Sequence, residues 1–182
     1  MLDNIFQIRY FDSLESTQET AKELAGSGAF PWTVVVAGQQ VKGHGKETSR
    51  WFSPKGSLYF SVILPKSNFD DLQTITILAA FIISKTIKEE FKIEPMIKLP
   101  NDVLIDGKKI CGILTQNVIS GKNISSSVIG IGLNTNGSGF PEELKEIAVL
   151  KNLSIWSHLN RTEIIKKLKL FAEEYKHWII EQ

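Results

Sequence analysis

The apolar residues of this chain do not keep one period. They recur at every second position in some stretches and at about every 3.6 in others, so strands and helices must share a core. Thr33 to Ala37, a β-branched run, reads as a buried strand, and Ser16 to Leu24 as a short helix behind a Ser/Thr cap. Ser57 to Leu64 alternates as a strand that must stop at Pro65, which has no backbone donor for a ladder. Beyond it, Leu72, Ile75, Leu78, Ala79, Ile82, Thr86, Ile87 and Phe91 fall at helical spacing. Ser67 and Asn68 offer that helix a cap, and Asp70 and Asp71 lie in its first turn, where the macrodipole favours negative charge.

Three short β-rich pieces follow: Met96 to Leu99, Val103 to Ile105, and Lys109 to Gln116, the last two joined by the hairpin dipeptide Asp106-Gly107. Val128 to Leu133 is a further strand. Thr162 to Ile180 carries Ile165, Leu168, Phe171, Tyr175, Trp178 and Ile179 on one face, the pattern of an amphipathic helix. Strands outnumber crossover helices, so the expected class is α+β, not a doubly wound sheet. With 182 residues, 42% of them hydrophobic, and no internal repeat, one core is expected.

Composition narrows the chemistry. Twenty-one basic against 20 acidic residues give a net charge of +1, so no polyanion or anionic membrane is advertised as a partner and any phosphate binding must be local. The N-terminus has neither the basic stretch nor the apolar run of a secretory signal, and no segment approaches ~18 consecutive apolar residues. Cys111 is the only cysteine, which excludes an internal disulfide and fits a reducing cytoplasm. His44, His158 and His177 are scattered without zinc-site spacing, so no structural transition metal is expected.

Four stretches could carry chemistry. Gly43-His44-Gly45-Lys46 sits in a polar loop; Glu47 stands where a P-loop needs Ser or Thr, and no third glycine completes a dinucleotide fingerprint. Lys42, His44, Lys46 and Arg50 nevertheless place cations within nine residues, followed by Trp51, whose indole could stack on a base; phosphate plus base points to a nucleotide. A solvated basic loop with a core tryptophan is the alternative. Asn101-Asp102 could be turn chemistry alone, yet a carboxylate beside a phosphate loop is what magnesium needs. In Lys108-Lys109 alternation sends the two side chains to opposite faces, Lys109 inward with its stem on apolar neighbours and its ammonium in a cleft, unless both merely guard a sheet edge. Gly130 and Gly132 lie on one face of a buried strand, so a ligand or another backbone is expected against that face, and Asn134 closes the strand with an amide.

Together these stretches resemble the biotin protein ligase family, within the class of biotin and lipoate ligases, from about Phe11 to the end of the chain. Asp12-Ser13-Leu14-Glu15-Ser16-Thr17-Gln18 resembles the opening "DS…STN" motif, and Gln40 to Trp51 resembles "Q-x-x-G-[RH]-G-R…W". Lys98 to Leu114 resembles "KWPND…KK-[IL]-[AC]-G-[IL]-L", and Val128 to Asn134 resembles "IGIGxN". Four motifs stand in one order at matching separations.

The resemblance implies a mixed, mostly antiparallel sheet covered by helices. It implies an enzyme that joins biotin and ATP into biotinyl-5'-AMP, then passes biotin to a lysine of a biotin carboxyl carrier protein or carrier domain. Lys109 matches the family's essential lysine, assisted by Lys46. Biotin would meet Ser16, Thr17, Gln18, Gln40, Gly43, His44, Lys109, Gly130 and Gly132. The adenylate would meet His44, Lys46, Arg50, Trp51, Asn101, Lys109 and Asn134, with Mg²⁺ on Asp102. A biotin-binding module of weak or no ligase activity, or a lipoate-type ligase, are the alternatives.

Four positions depart from the family pattern. Lys46 stands for an arginine, replacing a bidentate fork with a point charge, Gln18 for an asparagine, Leu99 for a tryptophan and Gln116 for a glutamate. Residues 1–182 are expected to be one catalytic domain, without the N-terminal helix-turn-helix domain or the C-terminal β-barrel of many relatives. The expected partners accordingly include no nucleic acid and no membrane, and a homodimer is left open.

Overall fold

All five residues of the Thr33–Ala37 run are buried, which a strand with no polar side requires to be covered on both faces. In the computed structural model, which describes residues 7–65, 72–135, 140, 141 and 144, that cover comes from two helices on opposite sides of one sheet. The strands are β1 (Gln7–Phe11), β2 (Thr33–Ala37), β3 (Leu58–Leu64), β4 (Met96–Lys98), β5 (Asp102–Ile105), β6 (Lys108–Ser120) and β7 (Asn123–Leu133). The helices are α1 (Thr17–Gly26) and α2 (Leu72–Phe91). The sheet order is β1-β2-β3-β7-β6-β5-β4; β1 and β2 are parallel and every other pair is antiparallel, the mixed sheet expected.

Alternation divides the core. Val34 and Val36, Phe60, Val62 and Leu64, and Ile129, Ile131 and Leu133 face α2, where Ile75, Ala79, Ile82 and Ile87 meet them. Burying each such Ile or Val side chain contributes about 1.5–3 kcal/mol, and this larger cluster is the main stabilising body. Val35, Ile63 and Val128 face the other way, against Ala21 of α1 and Val118. That second cluster is small, and polar groups fill the rest of its face. The sheet is therefore mainly apolar on the α2 side, where Thr115 bonds Thr76 and Ser127 bonds Asn117 as polar exceptions, and partly a site on the other.

Local signals placed most elements. Ser16 caps α1 from an extended backbone (φ −156°), its Oγ accepting from Glu19 N–H at 3.5 Å. β3 ends before Pro65. Asp106 and Gly107, at φ 51° and 75°, make the two-residue turn between β5 and β6, where both central positions need positive φ. β6 and β7 run further than their apolar alternation, pairing as far as Ser120 with Asn123. The edge strand β1 carries a short period-two signal, Gln7-Ile8-Arg9-Tyr10, that the sequence reading passed over. Ser67, Asn68, Asp70 and Asp71, expected to open the second helix, lie outside the described residues, as do the expected helix from Thr162 to Ile180, His158 and His177. Among the described residues no helix is long and apolar enough to cross a membrane.

Candidate active site

The polar side of the sheet begins with three glycines. Gly112 of β6 pairs with Gly132 of β7, and Leu114 with Gly130, so the glycines share one face beneath α1 and the loop at residues 38–57. The sequence led us to expect a ligand or another backbone on this floor; the structure instead puts two side chains there. The Trp51 indole lies across Gly112 and Gly132, with Cζ3 at 2.7 Å from where a Cβ on Gly112 would be, and the Gln18 carboxamide covers Gly130. Any side chain at these positions would drive into them, which is why the strand accepts the entropic cost of glycine.

Lys109 reaches the same face because the ladder slips. Val103 pairs with Cys111 and Leu104 with Lys109, leaving Ile110 as an extra residue, a β-bulge. Strict alternation would send Lys109 to the side of Cys111, into the core under α2. The bulge re-aims it beside Gly112, where its Nζ forms an ion pair with Asp102 Oδ1 at 2.7 Å and stands 5.2 Å from the Trp51 ring centroid. Carboxylate and aromatic face hold the ammonium from two directions. The expected inward lysine with a packed stem is thus present, at 33% side-chain exposure, while Lys108 is exposed as expected. Cys111 points away and is fully buried; burial pushes its thiol up to about 12, with Lys109 opposing and Asp102 adding to the shift, so it offers no thiolate nucleophile.

A chain of neutral polar groups forms the opposite wall. The Thr17 backbone N–H and hydroxyl both donate to Gln40 Oε1, at 2.7 and 3.0 Å, and Gln40 Nε2 donates to Ser53 Oγ at 2.8 Å. Ser53 Oγ donates to the Trp51 carbonyl at 3.1 Å, tying the indole's backbone to the start of α1. Ser61 Oγ lies within donating distance of Thr17 Oγ1 (2.9 Å) and Gln18 Oε1 (3.2 Å). Ser16, Thr17 and Gln18 are only 1%, 4% and 4% exposed, so this wall sits where each polar group must have a partner. Sequence reading missed Ser61 and Ser53 as site residues. Ser61 had a signal, a small polar side chain inside the otherwise aliphatic and aromatic run of β3; Ser53 had none.

The loop brings in part of what was expected of it. His44, Gly45 and Lys46 line the cleft together with Asn101, Lys109 and the glycine floor. Gly43 is buried, in contact with the Trp51 carbonyl and Ser53. Lys42 turns away to Glu15 at 2.8 Å, and Arg50 does not line the cleft, its guanidinium donating to the Val41 carbonyl at 3.4 Å. The enclosed volume is about 50 Å³, and past Lys46 and Asn101 it adjoins a second hollow of about 210 Å³ beside Leu72, Gln73, Thr76 and Thr115. Trp51 Nε1 and Asn134 Oδ1 are buried with no hydrogen-bond partner among the described residues. Leaving such groups unpaired costs about 1–3 kcal/mol each; Trp51 lines the cleft and is disposed to take a polar ligand, whereas Asn134, 1% exposed, lies below the cleft lining.

Among the described residues no three His, Cys, Asp or Glu side chains gather as a metal site. Among the described residues Asp102 offers a carboxylate just behind the cleft lining, with one oxygen engaged by Lys109. That suits magnesium arriving on phosphates, which takes one or two protein oxygens, and does not suit a resident ion held by protein alone. In sum, a positioned ammonium faces a wall of neutral hydrogen-bonding groups, with an aromatic ring between floor and loop. Such a cleft can hold an anion at one end and an uncharged polar group at the other.

Comparison with known proteins agrees with that geometry. Bifunctional ligase/repressor BirA of Bacillus subtilis is 38% identical over 175 residues, covering 93% of this chain and 54% of the relative. Biotin–[acetyl-CoA-carboxylase] ligase of Paracoccus denitrificans is 30% identical over 128 residues, covering 68% of this chain and 52% of the relative. The chain therefore spans about half the length of the relatives it matches. The solved biotin protein ligase of Aquifex aeolicus in complex with biotin and ATP superposes with a TM-score of 0.80 at 30% identity, over 97% of this chain and 73% of that one. The profile of the Biotin/lipoate A/B protein ligase family matches residues 10–134, a span that takes in every cleft-lining residue from Ser16 to Gly132, and the chain belongs to that family.

Proposed function

We propose that this chain is the catalytic part of an ATP-dependent biotin–protein ligase, which forms biotinyl-5'-AMP and transfers biotin to a lysine of a biotin carboxyl carrier protein in the cytoplasm. The observation that carries the reading is Lys109: an ammonium fixed by Asp102 and the Trp51 face at the end of a cleft whose other wall is neutral. The B. subtilis and P. denitrificans relatives are named as ligases, and the A. aeolicus relative was solved with biotin and ATP.

The chemistry asks for what these residues supply. A biotin carboxylate oxygen attacks the α-phosphorus of ATP, the bond to the β-phosphate oxygen breaks, and pyrophosphate leaves with the electron pair. Two anions must meet, so the barrier falls when fixed positive charge stands where they meet. Lys109 supplies that charge without reorganising, and Lys46 at the mouth adds a second, more exposed one. The chain from Thr17 through Gln40, with Ser16 and Gln18, meets the uncharged ureido ring, while Gly43 and His44 offer backbone contacts near the carboxylate. Trp51, Asn101 and Asn134 serve the nucleotide; Arg50 reaches it only if the loop shifts. Asp102 would hold magnesium with its second oxygen, neutralising phosphate charge when bound. In the second step the carrier's lysine amine attacks the acyl carbon, the acyl–phosphate C–O bond breaks, AMP leaves, and the nitrogen loses its proton.

Biotin-dependent exchange of labelled pyrophosphate into ATP tests the first step, with lipoate as control. Lys109→Ala is expected to lower exchange on the order of 10²–10³ or more with the fold intact. Exchange driven by lipoate alone, or wild-type exchange in the variant, overturns the reading. Transfer of labelled biotin to a carrier domain tests the second step.

A further inference from the structure

The Gln18 carboxamide is held in one orientation. It is 4% exposed, and its Nε2 donates at 3.2 Å both to the Val128 carbonyl and to Gln116 Oε1. Gln116 and Val128 are direct cross-strand partners in β6 and β7, so both acceptors come from one rung of the ladder. Turning the amide over would set its oxygen against the Val128 carbonyl with no proton between them, and would force Gln116 to turn its own amide as well. Its Oε1 therefore faces Gly130 and the cleft.

That oxygen keeps acceptor capacity. A carboxamide oxygen has two lone pairs, and among the described residues the donor that approaches it, Ser61 Oγ at 3.2 Å, has a single proton, for which Thr17 Oγ1 at 2.9 Å competes. The Thr17 proton is already given to Gln40, so Thr17 Oγ1 is free to accept from Ser61. The cleft thus presents an underused oxygen at its neutral end.

We infer that Gln116 is a positioning residue for the substrate's polar head: acting through Gln18, it fixes an acceptor in the cleft and makes that position select an N–H donor. The inference rests on biotin being the substrate, whose ureido ring carries two such donors. What matters at position 116 is an oxygen that accepts from Gln18. Glutamate supplies one and leucine does not.

The test is biotin titration by calorimetry together with steady-state exchange kinetics. Gln116→Leu leaves a buried N–H unpaired and is expected to raise the KM for biotin roughly tenfold, with kcat at saturating biotin unchanged. Gln116→Glu is expected to restore the KM to within about twofold of wild type. Equal shifts in the two variants, or no shift with leucine, overturn the inference. Should the leucine variant not fold, biotin analogues with either ring N–H replaced by oxygen, titrated into the wild type, decide it. At least one is expected to bind roughly tenfold weaker than biotin, and binding of both as tight as biotin overturns it. A wild type that binds no biotin removes the underlying functional reading as well, whereas biotin binding with an unaffected leucine variant removes this inference alone.

Discussion

Gly132→Ala is expected to change sign with its background. A Cβ at 132 would lie 2.5 Å from Trp51 Cε2 and 3.0 Å from Cδ1. Ordinary contact begins near 3.5 Å, so the ring must move by most of an ångström. It cannot slide along the sheet, because Gly112 already touches it on the other side and Lys109 stands over its face. Overpacking of this kind costs about 1–3 kcal/mol, and disturbing the lysine–indole contact adds about 0.5–1 kcal/mol. Against this, alanine in an extended strand gains about 0.5–1 kcal/mol over glycine through the unfolded chain. The single variant should therefore lose on the order of 1–3 kcal/mol in a denaturant titration. With the ring removed by Trp51→Ala, the same substitution should stabilise by about 0.5–1 kcal/mol, a coupling of about 1.5–4 kcal/mol across the cycle. An additive cycle, with Gly132→Ala destabilising equally in both backgrounds, would refute the claim that the strand keeps glycine for the indole.

The remaining predictions concern Asp102 and Cys111. Asp102→Asn removes both the partner of Lys109 and the anionic oxygen offered to magnesium, so pyrophosphate exchange should fall on the order of tenfold to a hundredfold while the magnesium needed for half-maximal rate rises. A fall in rate at unchanged magnesium requirement would take the metal role from Asp102 and leave it as the group that holds Lys109. The buried Cys111 keeps its proton when folded up to about pH 12, whereas the unfolded chain releases it near 9.0. The native state then binds more protons than the unfolded one, so this contribution is intact below pH 9 and is lost as pH rises toward 12, at about 1.4 kcal/mol per unit. Stability measured at pH 10.5 should therefore have dropped by about 2 kcal/mol more in the wild type than in Cys111→Ala, relative to pH 8; parallel curves would contradict it.

Elements whose signal is local were legible. Thr33 to Ala37, the Ser16 cap, the stop at Pro65, the Asp106-Gly107 turn and the periodicity from Leu72 to Phe91 each depend on residues near in sequence, and each stands as expected. β1 escaped because its alternation from Gln7 to Tyr10 is too short to stand out, and the outer half of the β6–β7 hairpin because it holds mainly through pairing. Gln7 to Phe11 is a largely exposed edge bound to β2, and the polar stretch from Asn117 to Ser127 has no apolar alternation to announce it. The candidate site divides in the same way. Its ordered motifs, its central lysine and its glycine floor were readable as residue types at fixed separations.

What the sequence by itself determined was the set of elements and the chemical inventory of the cleft, because propensity, turn chemistry and residue type are properties of short segments. Which atoms meet was decided only by the tertiary structure. A one-residue slip between β5 and β6 takes Lys109 out of the core and sets it against Asp102 and Trp51. The docking of α1 on β3 and β7 brings Gln18, Ser61 and Gln116 into one network although they are 43 and 98 positions from Gln18 along the chain. Register and docking are settled by the summed burial of two apolar faces, a quantity no local window contains.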